Sequence, residues 1–160
     1  MAGLEDLYRE IILDHYRAPR NRGALEVPPA HRVEGFNPLC GDEVVLYLVV
    51  ENGVVTDVKI AGQGCSISQA STSMMSAAIK GKPVSEARTI TRAFKALMSI
   101  HESKIGGDGE EIDVADGLED VRLGDLEALQ GVVKFPVRIK CATLAWNTLT
   151  QGLDEIGAEQ

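Results

Sequence analysis

Apolar side chains recur every three to four residues at the start of the chain, which is typical of an amphipathic helix. They stand at Leu4, Leu7, Tyr8, Ile11 and Ile12. His15 continues the same stripe, and a single histidine in that position is typically a packed core residue. Pro19 and Gly23 predict that the helix ends before them.

The spacing then changes to that of β-strands. β-branched and aliphatic residues fill positions 44–50, and Asn52-Gly53 follows as a strong signal for a two-residue hairpin turn. Residues 54–60 are therefore predicted to return as the second strand. Val54, Thr56, Val58 and Ile60 are expected to share one of its faces. A further short strand is predicted at about residues 33–36.

Helical spacing returns after Gly62-Gln63-Gly64. A helix is predicted over residues 66–80, stopped by Gly81 and Pro83. A second stripe covers residues 87–98, either continuous or broken near Thr89. A short helix over 125–130, closed by Gly131, precedes a last helix that Pro136 opens. This order predicts an α+β fold in which helices pack on one side of a small antiparallel sheet.

Length and charge narrow the class of protein. The 160 residues suit a single domain over 1–160, and the net charge of −8 argues against nucleic-acid binding. No apolar run reaches the roughly 20 residues that span a membrane, and the start of the chain does not read as a secretory signal. Unpaired cysteines then indicate a cytoplasmic protein. The acidic, glycine-rich segment at about 102–125 is expected to be an exposed insertion.

Three cysteines carry the candidate chemistry, and they stand at Cys40, Cys65 and Cys141. The odd count excludes a closed disulfide framework, whereas three thiols plus Asp42 make a four-ligand set for a soft or borderline metal. Cys40 precedes the first hairpin strand and Cys65 follows the second, so these two ends are expected to be adjacent. Cys65 also lies at a predicted helix start, which favours a thiolate.

The alternative interpretation is a set of inert core thiols, since cysteine is commonly buried. The flanking Gly41, Gly62 and Gly64 favour a site, because glycine lets backbone approach a ligand closely. Arg138 and Lys140 lie within one turn of Cys141, and Arg138 shares its helix face at i, i+3. If three thiolates and a carboxylate bind a divalent ion, these cations would offset part of the remaining negative charge. Nothing in the spacing shows that packing brings Cys141 to the other ligands.

Several motifs resemble those of the IscU-like iron–sulfur cluster assembly proteins. They are the stretch from Tyr8 to Tyr16, then Pro19-Arg20-Asn21-Arg22-Gly23, Asn37-Pro38-Leu39-Cys40-Gly41-Asp42, and Gly62-Gln63-Gly64-Cys65-Ser66-Ile67-Ser68. Scaffold proteins of this family carry a histidine where this chain has Lys140, and a Leu-Pro-Pro-Val-Lys motif where it has Lys134-Phe135-Pro136-Val137-Arg138. In these departures and in its acidic insertion, the chain resembles the SufU branch of the family.

The resemblance implies a zinc-dependent sulfurtransferase rather than a classical small-substrate enzyme. It implies one zinc ion on Cys40, Asp42, Cys65 and Cys141, with Cys40 accepting persulfide sulfur. The implied donor is a pyridoxal-phosphate cysteine desulfurase, SufS-like, which displaces one zinc ligand with its own histidine. The implied recipients are downstream iron–sulfur assembly proteins. From its spacing, Arg138 is a candidate for orienting the departing thiolate or the partner surface.

Two alternatives remain at this stage. One is a scaffold on which Cys40, Cys65 and Cys141 hold a transient iron–sulfur cluster, with Asp42 or Lys140 near the fourth position. The other is a non-catalytic domain with a purely structural zinc ion. Neither alternative involves nucleic acid or a membrane.

Overall fold

The computed structural model describes residues 4–27, 29–38, 41–106, 124–134 and 136–158. In chain order the elements are α1 (Leu4–Arg17), β1 (His31–Asn37), β2 (Asp42–Glu51), β3 (Val54–Gln63), α2 (Ser66–Ile79), α3 (Val84–Gly106), a 3₁₀ helix (Gly124–Lys134) and α4 (Pro136–Ala158). The strands form one antiparallel sheet in the order β1-β2-β3. Among the described residues, none of the helices combines the length and apolar composition needed to cross a bilayer.

The β2–β3 hairpin turns at Asn52 and Gly53, as the sequence predicts. Both residues have positive φ, 54° and 75°, which suits the right-handed twist of the flanking strands. The register shifts between Val49 and Val50, so that Val49 pairs with Asp57 and Val50 with Val55. This irregularity leaves Thr56 exposed and turns Val55 into the core. The predicted face is therefore correct for Val58 and Ile60 but wrong for Val54 and Thr56.

The inner face of the sheet forms one side of the hydrophobic core, and α4 packs on this face against β1 and β2. Leu46 and Leu48 are fully buried on this face. Two glycines allow the close approach. A β-carbon on Gly35 would overlap the Thr148 hydroxyl, and one on Gly152 would lie 2.9 Å from Leu48 Cδ1. The predicted α+β arrangement is confirmed.

Two helices extend beyond their predicted limits. α3 is continuous through Thr89, whose hydroxyl donates to the Ser85 carbonyl one turn back at 3.0 Å. It continues to Gly106, so the first residues of the acidic segment are helical, while 107–123 lie outside the described residues. The 3₁₀ helix runs through Gly131 to Lys134, because Val132 beyond the glycine still packs in the core.

α2 carries buried hydroxyl groups that tie it to its neighbours. Ser73 Oγ accepts from the Arg20 amide at 2.8 Å and hydrogen-bonds His15 Nδ1 at 2.8 Å, which fixes α1 on α2. Ser71 Oγ donates to the Ala142 carbonyl at 2.6 Å and accepts from Trp146 Nε1 at 3.2 Å, which fixes α4 on α2. Hydrogen bonding satisfies these polar groups where water does not reach. His15 is thus a buried core residue, as its position predicts.

Candidate metal centre

Asp42 is the first residue of β2 and is fully buried. Strand alternation places it on the same inner face as Val44 and Leu46. Its Oδ1 accepts a hydrogen bond from the Cys65 amide at 2.9 Å, and its Oδ2 lies 3.9 Å from Cys65 Sγ. A buried carboxylate needs such partners, because burying an unpaired charge is costly. The carboxylate is thereby aimed at the start of α2.

Cys65 is the N-cap residue of α2, with extended backbone angles of −71° and 168°. Its sulfur accepts from the Ser68 amide at 3.4 Å, as an N-cap side chain normally does. The positive end of the helix dipole and this amide both favour a negatively charged sulfur. The sequence prediction that Cys65 opens a helix is confirmed.

Cys141 lies in the second turn of α4 and is fully buried. The hydrogen bond from Ser71 reaches the carbonyl of Ala142, the very next residue. α2 therefore fixes the position of the α4 turn that contains Cys141. The N-terminus of α2 also carries Cys65. Packing brings together two sulfurs that are far apart in the sequence.

Asp42, Cys65 and Cys141 form one cluster whose donor atoms all lie within 4.8 Å of one another. In a tetrahedral zinc site, with bonds of about 2.0–2.3 Å, neighbouring donors are roughly 3.3–3.8 Å apart. The longest separation between two of these donor atoms would therefore have to shorten by about 1 Å for all three to bind such an ion. Two thiolates and a carboxylate suit a borderline ion such as zinc better than magnesium or calcium. Cys40, predicted as the fourth ligand, lies outside the described residues.

Arg138 is exposed on α4, one turn before Cys141. Its pKa is raised above the ordinary value, first by charge attraction to Cys65 and then by a hydrogen bond with Cys141. The guanidinium group is therefore close enough to both sulfurs to offset part of the negative charge that they would carry as metal-bound thiolates. Lys140, the other cation in this turn, is exposed.

Gly64 and Gly62 each lie where a side chain would overlap the neighbouring strand β2. A β-carbon on Gly64 would lie 3.0 Å from Cγ of Asp42, and one on Gly62 would lie 2.9 Å from the Glu43 backbone carbon. Gly64 thus makes room for the carboxylate of Asp42, and Gly62 lets β3 lie close to β2.

Sequence reasoning missed Ser68 and Ser71 as members of this site. The available signal is their position: both are small polar residues within the first two turns of a helix that begins with a candidate ligand. Periodicity alone marks only the apolar positions of that helix, so the two buried hydroxyls do not stand out.

The fold and the cluster define a class of small α+β proteins that gather cysteine and aspartate side chains from a hairpin and two helices. The sequence match is specific within this class, since the NifU-like N terminal domain matches residues 7–142. The chain belongs to this family, which confirms the resemblance noted from the cysteine motifs.

Individual relatives cover nearly the whole chain. It is 45% identical over 152 residues to the zinc-dependent sulfurtransferase SufU of Bacillus subtilis, covering 95% of this chain and 92% of that protein. It is 36% identical over 150 residues to the iron–sulfur cluster assembly scaffold protein IscU of Thermotoga maritima, covering 94% of each. Among solved structures, a putative scaffold protein for the SUF system from Fervidobacterium islandicum has a TM-score of 0.73 and 33% identity, covering 94% of this chain and 99% of that one.

Proposed function

We propose that this chain is a single-domain, cytoplasmic, zinc-binding sulfurtransferase of iron–sulfur cluster assembly. One observation carries the proposal: the carboxylate of Asp42 and the sulfurs of Cys65 and Cys141 lie within 4.8 Å of one another. The identity to a zinc-dependent sulfurtransferase over 95% of the chain supports the same function. Cys40 completes the ligand set in this proposal, since it precedes Asp42 by only two residues.

The zinc ion would keep the thiols deprotonated without oxidising them, because zinc has no redox chemistry. Cys40 is the proposed sulfur acceptor. Its thiolate attacks the terminal sulfur of a persulfide carried by a cysteine desulfurase. A sulfur–sulfur bond forms on Cys40, the donor's sulfur–sulfur bond breaks, and the donor cysteine leaves as a thiolate. The persulfide then passes to downstream assembly proteins.

Arg138 is the proposed orienting residue of this transfer. Arg138 is exposed to solvent, and its guanidinium group interacts with both Cys65 and Cys141. It therefore lies on the solvent side of the cluster. A cation there stabilises thiolates and attracts an anionic persulfide. It offers a partner protein a charged contact next to the reacting sulfur.

Persulfide trapping tests the proposal. The chain, incubated with a SufS-like pyridoxal-phosphate cysteine desulfurase and cysteine, is alkylated and weighed by mass spectrometry. The expected result is one added sulfur on Cys40 and a faster desulfurase turnover. Cys40→Ala should keep much of its fold and lose both effects. Turnover unaffected by Cys40→Ala, or an unfolded variant, would instead indicate a structural zinc ion.

A matched pair of variants tests Arg138. Arg138→Ala should slow sulfur transfer, whereas Lys140→Ala removes an exposed cation two residues away and should have little effect. Equal rates for Arg138→Ala and the unchanged protein would remove Arg138 from the mechanism.

The second candidate function is an iron–sulfur scaffold, which the identity to a scaffold protein favours. The same thiols would then hold a transient cluster. Metal analysis separates the two functions. Colourless protein with about one zinc ion per chain supports sulfur transfer, and brown protein with iron and sulfide supports the scaffold.

A further inference from the structure

Ser68 differs from the other buried hydroxyl residues of α2. Its side chain is only 1% exposed, and its Oγ has no hydrogen-bond partner in the described part of the chain. Ser71, Thr72, Ser73 and Ser76 are also buried on this helix, and each makes a hydrogen bond through its hydroxyl. An unpaired buried hydroxyl is unfavourable, so Ser68 is the exception that needs a reason.

Ser68 contacts the candidate metal centre through its backbone amide. Ser68 is the third residue of α2, and a helical side chain covers the turn that precedes its own backbone. A side chain at this position commonly reaches back to the N-cap amide. Here Asp42 Oδ1 already accepts from that amide, at 2.9 Å. The Ser68 amide itself donates to Cys65 Sγ at 3.4 Å. The Ser68 backbone therefore contacts the Cys65 sulfur, and rotation about the Cα–Cβ bond of Ser68 can turn its unpaired hydroxyl towards that sulfur.

We infer that the Ser68 hydroxyl is a hydrogen-bond donor to the Cys65 sulfur in its thiolate form. This inference rests on the proposed zinc-binding function. A neutral thiol is a weak acceptor, whereas a thiolate accepts several strong hydrogen bonds. Ser68 then supplies two donors to one sulfur, its amide and its hydroxyl. It acts as a positioning residue that orients Cys65 and stabilises the ionised ligand.

Ser68→Ala should have opposite effects on the metal-free and the metal-bound protein. In the metal-free protein, Ser68→Ala removes an unpaired buried hydroxyl, so the melting temperature should stay the same or rise. In the metal-bound protein it removes a donor to a ligand, so the zinc dissociation constant should rise roughly tenfold. A residue that only supports the fold would not combine these effects.

Replacing zinc with cobalt(II) gives a spectroscopic test of the hydrogen bond from the Ser68 hydroxyl to the Cys65 sulfur. Losing a donor to a coordinated thiolate raises the energy of the sulfur electrons. The sulfur-to-cobalt charge-transfer band of Ser68→Ala should therefore move to longer wavelength. The matched control is Ser76→Ala, which removes a fully buried hydroxyl from the other end of α2, where it bonds the Arg20 and Ser73 carbonyls. This control should melt at a lower temperature, with unchanged zinc affinity and an unchanged cobalt band.

The outcomes separate this inference from the proposed function. If Ser68→Ala binds zinc as tightly as the unchanged chain and has the same cobalt band, the inference is wrong, while sulfur transfer to Cys40 can still be demonstrated. If metal-free Ser68→Ala is destabilised like Ser76→Ala, the hydroxyl is already bonded without metal, and the inference is wrong again. If the unchanged chain takes up neither zinc nor persulfide, the proposed function fails and this inference fails with it.

Discussion

Gly64→Ala should damage the proposed metal centre, although Gly64 itself supplies no ligand. The new β-carbon would lie 3.0 Å from Cγ and 3.1 Å from Cβ of Asp42. Carbon atoms in contact normally stay about 3.5–4.0 Å apart. Asp42 is fully buried at the start of β2, so its side chain cannot swing into solvent to relieve the overlap. The carboxylate must leave its present position.

The cost has two parts. Moving the carboxylate breaks its 2.9 Å hydrogen bond from the Cys65 amide, and bonds to charged groups contribute about 1.5–3 kcal/mol. Gly64 also has φ +158°, and holding a non-glycine residue in a rarely occupied backbone region costs about 1–3 kcal/mol. We expect the free energy of unfolding to fall by about 2.5–6 kcal/mol. Because a proposed ligand is displaced, zinc affinity should fall by roughly 100-fold.

Chelator competition for zinc and thermal unfolding together measure the two effects. Gly81→Ala is the control for backbone strain, because Gly81 has φ +81° and a β-carbon added there would have no atom within 4 Å. It should lose stability and keep its zinc affinity. Tight zinc binding by Gly64→Ala would refute the reasoning, since it would show that Asp42 either does not ligate the ion or is not held by Gly64.

Two further predictions concern α4 and its anchors. Gly35→Ala should lower the free energy of unfolding in urea by about 1–3 kcal/mol, because its β-carbon overlaps the Thr148 hydroxyl; Gly157→Ala, with no close neighbour, should not. A hydrogen bond from His31 lowers the pKa of Glu155 below its ordinary value of 4.5. This bond therefore adds stability above pH 4.5 and loses it as the pH falls through the lowered pKa. Glu155→Gln should flatten the acid limb of the stability profile, and an unchanged limb would exclude this role.

The hairpin and the start of α2 could be predicted because their signals are local. Asn52-Gly53 fixes the turn, and the ends of an antiparallel pair must meet. This brings Asp42 close to Cys65 without any knowledge of the rest of the fold. The register shift at Val49 and Val50 was not predictable, because an ideal alternating pattern and a bulged one look alike over so few residues.

The position of Cys141 could not be derived from spacing. It depends on how closely α4 approaches the sheet, which Gly35 and Gly152 allow, and on the Ser71 hydrogen bond to Ala142. Each of these is a contact between residues far apart in sequence, so no local periodicity reports it. The motif resemblance supplied what the physical pattern alone did not.

The three proposed ligands that the structure describes come from separate elements: the first residue of β2, the N-cap of α2 and the second turn of α4. An ion bound by all of them acts as a tertiary cross-link, and its binding free energy includes the work of docking α4. Displacing one donor from the ion would then weaken the packing of the amino-terminal half of α4. Amide hydrogen exchange there would become faster while the sheet stayed protected.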